Sequence, residues 1–316
     1  MASLAAKSRE LIRVTPLSGA IGAEVAGVDL TRDVPEDVAD AIRRAFSEHF
    51  VLVFRSEGKA SPEAQLRLAG LFGEPQPLEV FQFLGRQQAS ITFEPGSKIA
   101  ATKDAAAPEK AEPIRWEALQ NIGLAGDFDG WHIDSSFTHW IPRVAVLRAE
   151  AISPVGGDTG FASLCAAYDG LSPMMQEWLA GARAVHHIPP GFKEGIGLSR
   201  YGDDAEARFD AEFPPREWPM VIAHPETGRK ALFINPGYTV HICGLKRAES
   251  HALLRFLSHH VASANYTLRH HWHPGDLVLW DEVTALHRAP DDFAPHERKV
   301  VRVTAGRCVP QAAFSP

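Results

Sequence analysis

The chain has 316 residues, with 32 Lys and Arg against 39 Asp and Glu, a formal charge of −7, and 45% of it is hydrophobic. That composition excludes collagen-like, coiled-coil and disordered classes, and no stretch reaches the roughly 18 apolar residues of a membrane span. The N-terminus is broken by Lys7, Arg9, Glu10 and Arg13, so it lacks the apolar core of a signal peptide, and the acidic balance argues against a nucleic-acid partner.

The elements are expected in the following order. LIRVTPL (11–17) and GAEVAGV (22–28) read as short strands around the Gly-containing SGAIG. From Pro35, the spacing of Val38, Ala41, Ile42, Ala45 and Phe46 predicts a helix, and VLVFR (51–55) predicts a buried strand. Ser61-Pro62-Glu63 is a helix start with Gly73 as its stop, and Ser172-Pro173 and Gly181 frame a second such helix. A third helix is expected over 246–261, burying Leu253, Leu254, Leu257 and Val261.

Strands are expected at WHIDSSF (131–137), RVAVLRAEAI (143–152), GFASL (160–164), AVHHI (184–188), PMVIAH (219–224), ALFIN (231–235), TLRHHW (267–272), DLVLW (276–280) and KVVRVTA (299–305). Many short strands with few long crossovers predict a mainly β fold, an antiparallel barrel or sandwich buttressed by helices. No internal repeat and no linker divides it, so a single domain over 1–316 is expected. Residues 99–113 and 189–218 read as loops, either solvated insertions or lids over a pocket.

The cysteines Cys165, Cys243 and Cys308 are odd in number and form no CxxC pair. That disfavours a disulfide framework and thiolate-bound zinc, and fits a reducing cytoplasm. The unusual count is 15 histidines, which directs the search toward metal chemistry. His132-Ile133-Asp134 would set an imidazole and a carboxylate on one strand face. Alone, such a pair is more often a surface hydrogen bond, and a third ligand is needed to reverse that reading. His287, beyond the strand DLVLW, is the candidate third ligand. Two histidines and one carboxylate leave open positions that suit non-haem Fe(II) binding a cosubstrate and oxygen together; a structural zinc site would be closed by four protein ligands. An oxoacid cosubstrate needs a cation for its far carboxylate. Arg298 and Arg302 share one face of KVVRVTA and its approach, and Thr159 could add a hydroxyl.

These residues lie within ordered blocks: GAIGAEVAGVDL (19–30), VLVFR, WHIDSSF, PVGGDTGFASLCAAYDGLSP (154–173), AHPETGRKALFIN (223–235), RHHWHPGDLVLWDEVTALHRAPDDF (269–293) and ERKVVRVTAG (297–306). Over nearly its whole length the chain resembles the taurine dioxygenase / dichlorophenoxyacetate dioxygenase family of Fe(II)- and 2-oxoglutarate-dependent oxygenases. The SSF and RHHWHPGDLVLW segments look closer to the phenoxyacetate-degrading branch.

The resemblance implies a double-stranded β-helix (jelly roll, cupin-like) with flanking helices. It implies His132, Asp134 and His287 as iron ligands, with no catalytic side chain needed beyond them, and Thr159 and Arg298 as holders of 2-oxoglutarate. Arg302 matches an arginine that meets the substrate's acidic head or lies beside the cosubstrate. The implied cofactors are Fe(II), 2-oxoglutarate and O2, and the implied assembly is a homodimer or homotetramer. Asp134 argues against a halogenase, which needs that position vacant for halide.

The expected reaction is hydroxylation, and thereby cleavage, of a small organic acid with release of succinate and CO2. An aryloxyalkanoate-like carboxylate comes first and a sulfonate or sulfate ester second. A zinc hydrolase on the same ligands and a non-catalytic small-acid-binding jelly roll are the alternatives. Phe81, Phe83 and Trp140 are candidate substrate contacts, and lid or insert segments are expected near 80–130 and 189–218, the first longer than in the taurine enzyme. Glu282 stands where the family usually has Asn after the Trp-Asp pair. His270, His271 and His273 read as a strand surface with no carboxylate partner, and the pairs His186-His187 and His259-His260 as structural or solvated.

Overall fold

The computed structural model describes residues 11–56, 60–85, 90–93, 130–188, 191–290 and 292–314. In chain order, the first half contains β1 (Arg13–Pro16), β2 (Ala23–Ala26), α1 (Glu36–His49), β3 (Val51–Phe54), α2 (Pro62–Gly70), α3 (Glu79–Phe83), β4 (Ser90–Phe93), β5 (Val144–Ala151), β6 (Thr159–Ser163), α4 (Leu164–Asp169) and α5 (Pro173–Ala180). The second half contains β7 (Arg183–His186), α6 (Phe192–Gly195), α7 (Ala205–Glu212), β8 (Arg216–Pro219), β9 (Val221–Ala223), β10 (Lys230–Leu232), β11 (Thr239–Ile242), α8 (Arg247–Val261), β12 (Thr267–His270), β13 (Leu277–Asp281), β14 (Ala285–Arg288) and β15 (Lys299–Ala305).

The large sheet runs β1-β2-β3-β13-β5-β15-β4, and smaller sheets run β12-β6-β14, β11-β7-β8 and β10-β9. Among the described residues every pairing of these strands is antiparallel except β2 with β3. In the central strands both faces are apolar because both are covered. Val51, Val53, Ala145, Leu147, Val278 and Trp280 point into the interior shared with the small sheets, where Phe161 meets Trp280 at 5.7 Å between ring centroids. The alternate residues Leu52, Phe54, Val144, Val146, Leu277, Leu279 and Val303 face outward onto Ala41, Ile42, Phe46 and Leu68 of α1 and α2. Period-two alternation thus feeds two cores from the same strands. The sandwich expected from the strand pattern is observed as a jelly roll with helices against its large sheet.

Helix starts follow the capping residues. Ser61 Oγ accepts from the Ala64 N–H at 3.2 Å and Ser172 Oγ from the Met175 N–H at 3.3 Å, each followed by Pro at the first helical position. Gly181 ends α5 as expected, while α2 ends at Gly70, ahead of the expected Gly73.

Two expectations are overturned. WHIDSSF is not a strand: only His132 makes a β-bridge, and the chain then turns, with Ser135 at φ 58° and the Thr138 N–H on the Ser135 carbonyl. Residues 191–218 are not an unstructured loop either. They form α6, a 3₁₀ turn, α7 and β8, because Phe192, Phe209 and Phe213 pack with Phe81, Phe137 and Ile188 into a third apolar cluster. This helical cap carries its own core, which the frequent Gly and Pro of that stretch conceal. The expected loop at 99–113 and most of the 80–130 segment lie outside the described residues.

Candidate metal and cosubstrate site

His287 sits in the middle of β14, and the turn that delivers it is tied by Asp281. The Asp281 Oδ1 accepts the N–H groups of Val283 and Thr284 at 2.8 and 2.9 Å, while Oδ2 takes Arg143 and the ring of His224, which lies 2.9 Å away. Opposite, His132 pairs with His287 through both backbone groups. The ligand atoms offered by His132, Asp134 and His287 all lie within 4.8 Å of one another, with His132 Nε2 3.6 Å from Asp134 Oδ1. The three residues singled out from the sequence are therefore brought together, although by a bridge and a turn rather than by one strand face.

The ring orientations suit a metal. His132 Nδ1 is 2.7 Å from the Gly130 carbonyl, which can only accept, so Nδ1 carries a hydrogen and Nε2 is the ring nitrogen turned toward Asp134. Burial, with His132 as the next cause, holds His287 well below the ordinary imidazole value, in the neutral form that ligates. Burial alone would raise the Asp134 carboxyl, but the Arg302 guanidinium bonded to it, with His132 and His287, holds it well below the usual range. Glu282 behaves oppositely. It is fully buried, and burial followed by the charge of Asp134 pushes its carboxyl well above the usual value.

Arg298 and Thr159 meet on β6, where Thr159 stands two residues before Phe161, the strand partner of His287. Arg298 Nε donates to the Gly157 carbonyl at 2.7 Å and Nη2 to Thr159 Oγ1 at 3.3 Å. Trp272 Nε1 also donates to Thr159 Oγ1, at 3.0 Å. With both lone pairs used, the Thr159 hydroxyl is left to donate its own hydrogen. Arg298 is buried, which lowers its pKa to about 10, and among the described residues its hydrogen bonds go to neutral acceptors. A buried cation beside a free O–H donor is a receptor for a carboxylate. Gly157, at φ +69°, makes room: a Cβ there would lie 2.9 Å from Arg298 Cδ.

Phe81 is buried in the cap cluster, and Phe83 meets Phe209 and Phe213 edge-on at 5.5 and 5.7 Å. Trp140 is buried with the Arg307 guanidinium 4.7 Å from its ring centroid, apart from the cap cluster. Sequence reading missed Tyr238 and Phe137, whose rings are 5.0 Å apart. Burial and then the Asp134 charge raise the Tyr238 hydroxyl's pKa, placing it in the field of the triad. The signal lay in the N-P-G-Y turn after β10, where a Cβ on Gly237 would come 3.2 Å from the His132 Cβ.

The expected lack of a carboxylate near the histidine run is corrected: His271 Nδ1 is 2.9 Å from Asp158 Oδ1, and His270 and His273 flank Asp276. His270 is also buried rather than on a surface. His186 is structural, its ring between Ser136 Oγ and Thr239 Oγ1 at 2.9 and 3.1 Å.

The family described as "Taurine catabolism dioxygenase TauD, TfdA family" matches residues 13–304. A 2,4-dichlorophenoxyacetate dioxygenase of Cupriavidus pinatubonensis, alpha-ketoglutarate-dependent by name, is 34% identical over 92% of this chain and 96% of its own. A sulfate ester dioxygenase of Pseudomonas putida, also alpha-ketoglutarate-dependent, is 28% identical over 94% and 90%. The crystal structure of a taurine dioxygenase from Burkholderia xenovorans superposes with a TM-score of 0.72 at 28% identity, covering 95% of this chain and 92% of that one. The zinc-hydrolase and non-catalytic alternatives are thereby set aside. The chain belongs to the TauD/TfdA family and is an alpha-ketoglutarate-dependent dioxygenase.

Proposed function

We propose that this enzyme hydroxylates an aryloxyalkanoate-like carboxylate at the carbon beside its ether oxygen, giving a hemiacetal-type product that falls apart. His132, Asp134 and His287 hold Fe(II), and Arg298 with Thr159 holds the far carboxylate of 2-oxoglutarate. Fe(II) bound there supplies the oxidative decarboxylation of 2-oxoglutarate to succinate and CO2, with O2 giving one oxygen atom to succinate and one to the substrate carbon. The protein's own work is positioning. Arg302 of β15 lies on Asp134, and Arg298, four residues earlier, lies on Gly157 and Thr159, so the same stretch of chain supplies one cation to the triad and one to the Thr159 hydroxyl. Arg302 already balances the charge of Asp134, and it stands where a carboxylate bound beside the metal needs a cation.

The observation that carries the substrate reading is the aromatic cap. Phe81, Phe137 and Phe192 belong to the buried aromatic cluster of the cap, and Tyr238, packed against that cluster, feels the charge of Asp134, so the cap's rings reach the neighbourhood of the triad through Tyr238. Relatives named for 2,4-dichlorophenoxyacetate and (S)-phenoxypropionate are 34% and 33% identical. Sulfate esters and sulfonates come second. The chain is read as one domain with the cap as its lid, without nucleic-acid or membrane partners. No helix among the described residues is long and apolar enough to cross a membrane, and the three free cysteines fit a cytoplasmic setting. Met174 and Trp178, exposed one turn apart on α5, offer a surface for a homodimer or homotetramer.

The test is succinate release by anaerobically iron-loaded protein given O2, 2-oxoglutarate and a panel of aryloxyalkanoates, sulfonates and sulfate esters. Stimulation by an aryloxyalkanoate above the substrate-free rate is expected. Stimulation by a sulfonate or sulfate ester alone would replace the substrate assignment.

A further inference from the structure

Glu282 follows the Trp280-Asp281 pair at the end of β13, and the fold sets it against two of the three candidate metal ligands. Its side chain is fully buried. Oε2 accepts the backbone N–H of Asp134 at 3.2 Å, joining the β13–β14 turn to a residue 148 positions earlier in the chain. The same oxygen lies 4.0 Å from His287 Nδ1. His287 Nδ1 and Glu282 Oε1 are both buried and, among the described residues, neither has a hydrogen-bond partner.

Such a pair is unusual, because buried polar atoms are nearly always satisfied. The gap exceeds hydrogen-bond distance by about one ångström. A ligating histidine gives one ring nitrogen to the metal and donates the other N–H to a neighbour, which fixes its tautomer and orientation. His132 has this arrangement already, with Nδ1 on the Gly130 carbonyl. For His287 the carboxyl beside Nδ1 belongs to Glu282.

We propose that Glu282 is a positioning residue of the metal centre. In the metal-loaded enzyme its carboxyl accepts the Nδ1–H of His287 while keeping the Asp134 N–H, so one side chain orients two of the three ligands. This rests on the reading of His132, Asp134 and His287 as the metal site. A carboxyl offers two oxygens, so both bonds can be accepted together.

The experiment uses full-length protein loaded with Zn(II), with metal affinity measured by competition against a chelator and ring N–H signals followed by nitrogen-15 NMR. The wild type is expected to show a downfield, exchange-protected Nδ1–H signal that disappears in His287→Ala. Glu282→Leu should lose that signal and bind metal about 10- to 100-fold more weakly. Glu282→Gln keeps one acceptor oxygen and should restore part of the affinity lost in Glu282→Leu, its NH2 being unable to accept the second N–H. If Glu282→Leu leaves both the signal and the affinity unchanged while His287→Ala loses metal, the role of Glu282 is refuted and the triad stands. If His287→Ala binds metal like the wild type, the triad reading fails and this proposal with it. Should Glu282→Leu not fold, an Nδ1–H signal that is absent from the wild type overturns the proposal by itself.

Discussion

His132 and His287 are each other's backbone partners: the N–H of each donates to the carbonyl of the other, at 3.0 and 2.9 Å. That reciprocal pair sets the two imidazoles with ring centroids 4.3 Å apart. The spacing of the candidate ligands is therefore set by main-chain hydrogen bonds, which do not depend on the metal. A preformed pocket of this kind leaves little ordering cost to be met when the metal binds.

The charge of Asp134 is balanced by Arg302 within the same buried pocket. Asp134→Asn should lower metal affinity by at least about 100-fold, more than the loss of an outer partner. It should also destabilise the metal-free protein by about 3–5 kcal/mol, because a buried guanidinium loses its counter-charge. The double variant Asp134→Asn/Arg302→Met should recover most of that stability in urea denaturation without recovering metal. Equal stability of the single and double variants would show that the pair is not coupled.

Arg298 is expected to hold the cosubstrate and not the substrate. Arg298→Ala should weaken 2-oxoglutarate binding about 100-fold, a charge-assisted bidentate contact being worth about 3 kcal/mol. Gly157→Ala should reproduce part of that loss, since its Cβ would meet Arg298 Cδ at 2.9 Å in a left-handed backbone conformation. Anaerobic titration calorimetry reads both. Wild-type 2-oxoglutarate affinity in Arg298→Ala would remove the residue from the site.

Burial pushes His186 down to about 3 from an ordinary value of 6.5. Between those values the unfolded chain takes up a proton that the folded protein refuses. Stability therefore falls as pH drops below 6.5, by up to about 1.4 kcal/mol per pH unit for this group. His287, also lowered, contributes with the same sign in the metal-free protein. Denaturant titrations from pH 7 to pH 4 should show a shallower slope in His186→Asn. An identical slope would place the pH dependence elsewhere.

The periodic strands were readable one by one. KVVRVTA (299–305) is observed over the same residues as β15, and DLVLW and RVAVLRAEAI differ from β13 and β5 by a residue or two at their ends. The two-residue repeat and the demand that both faces be buried act locally, so they leave a local trace. The Ser-Pro helix starts were readable for the same reason. The turn at Ser135 and the cap helices α6 and α7 were not, because what holds them comes from far along the chain. Asn235 Nδ2 donates to the Ile133 carbonyl and to Ser136 Oγ, both at 2.8 Å. Phe209 and Phe213 are buried among rings from other segments, with Phe83 and Phe137 against Phe213 and Phe192 against Phe209.

The sequence by itself determined which chemistry this protein could carry: a His-x-Asp pair, a distal histidine, two arginines on one strand face and a nearby threonine, in an order that matches one family. Only the tertiary structure decided how these groups share charge. It placed Arg302 on Asp134 across 168 residues, set the hydrogen bonds of Arg298 on Gly157 and Thr159 within the field of Asp158 and Asp292, and buried Glu282 against both Asp134 and His287. Ligand identity is a property of residue types and spacing. Charge balance is a property of distances in a medium of low dielectric, and those distances are set by the packing of strands that are remote in the chain.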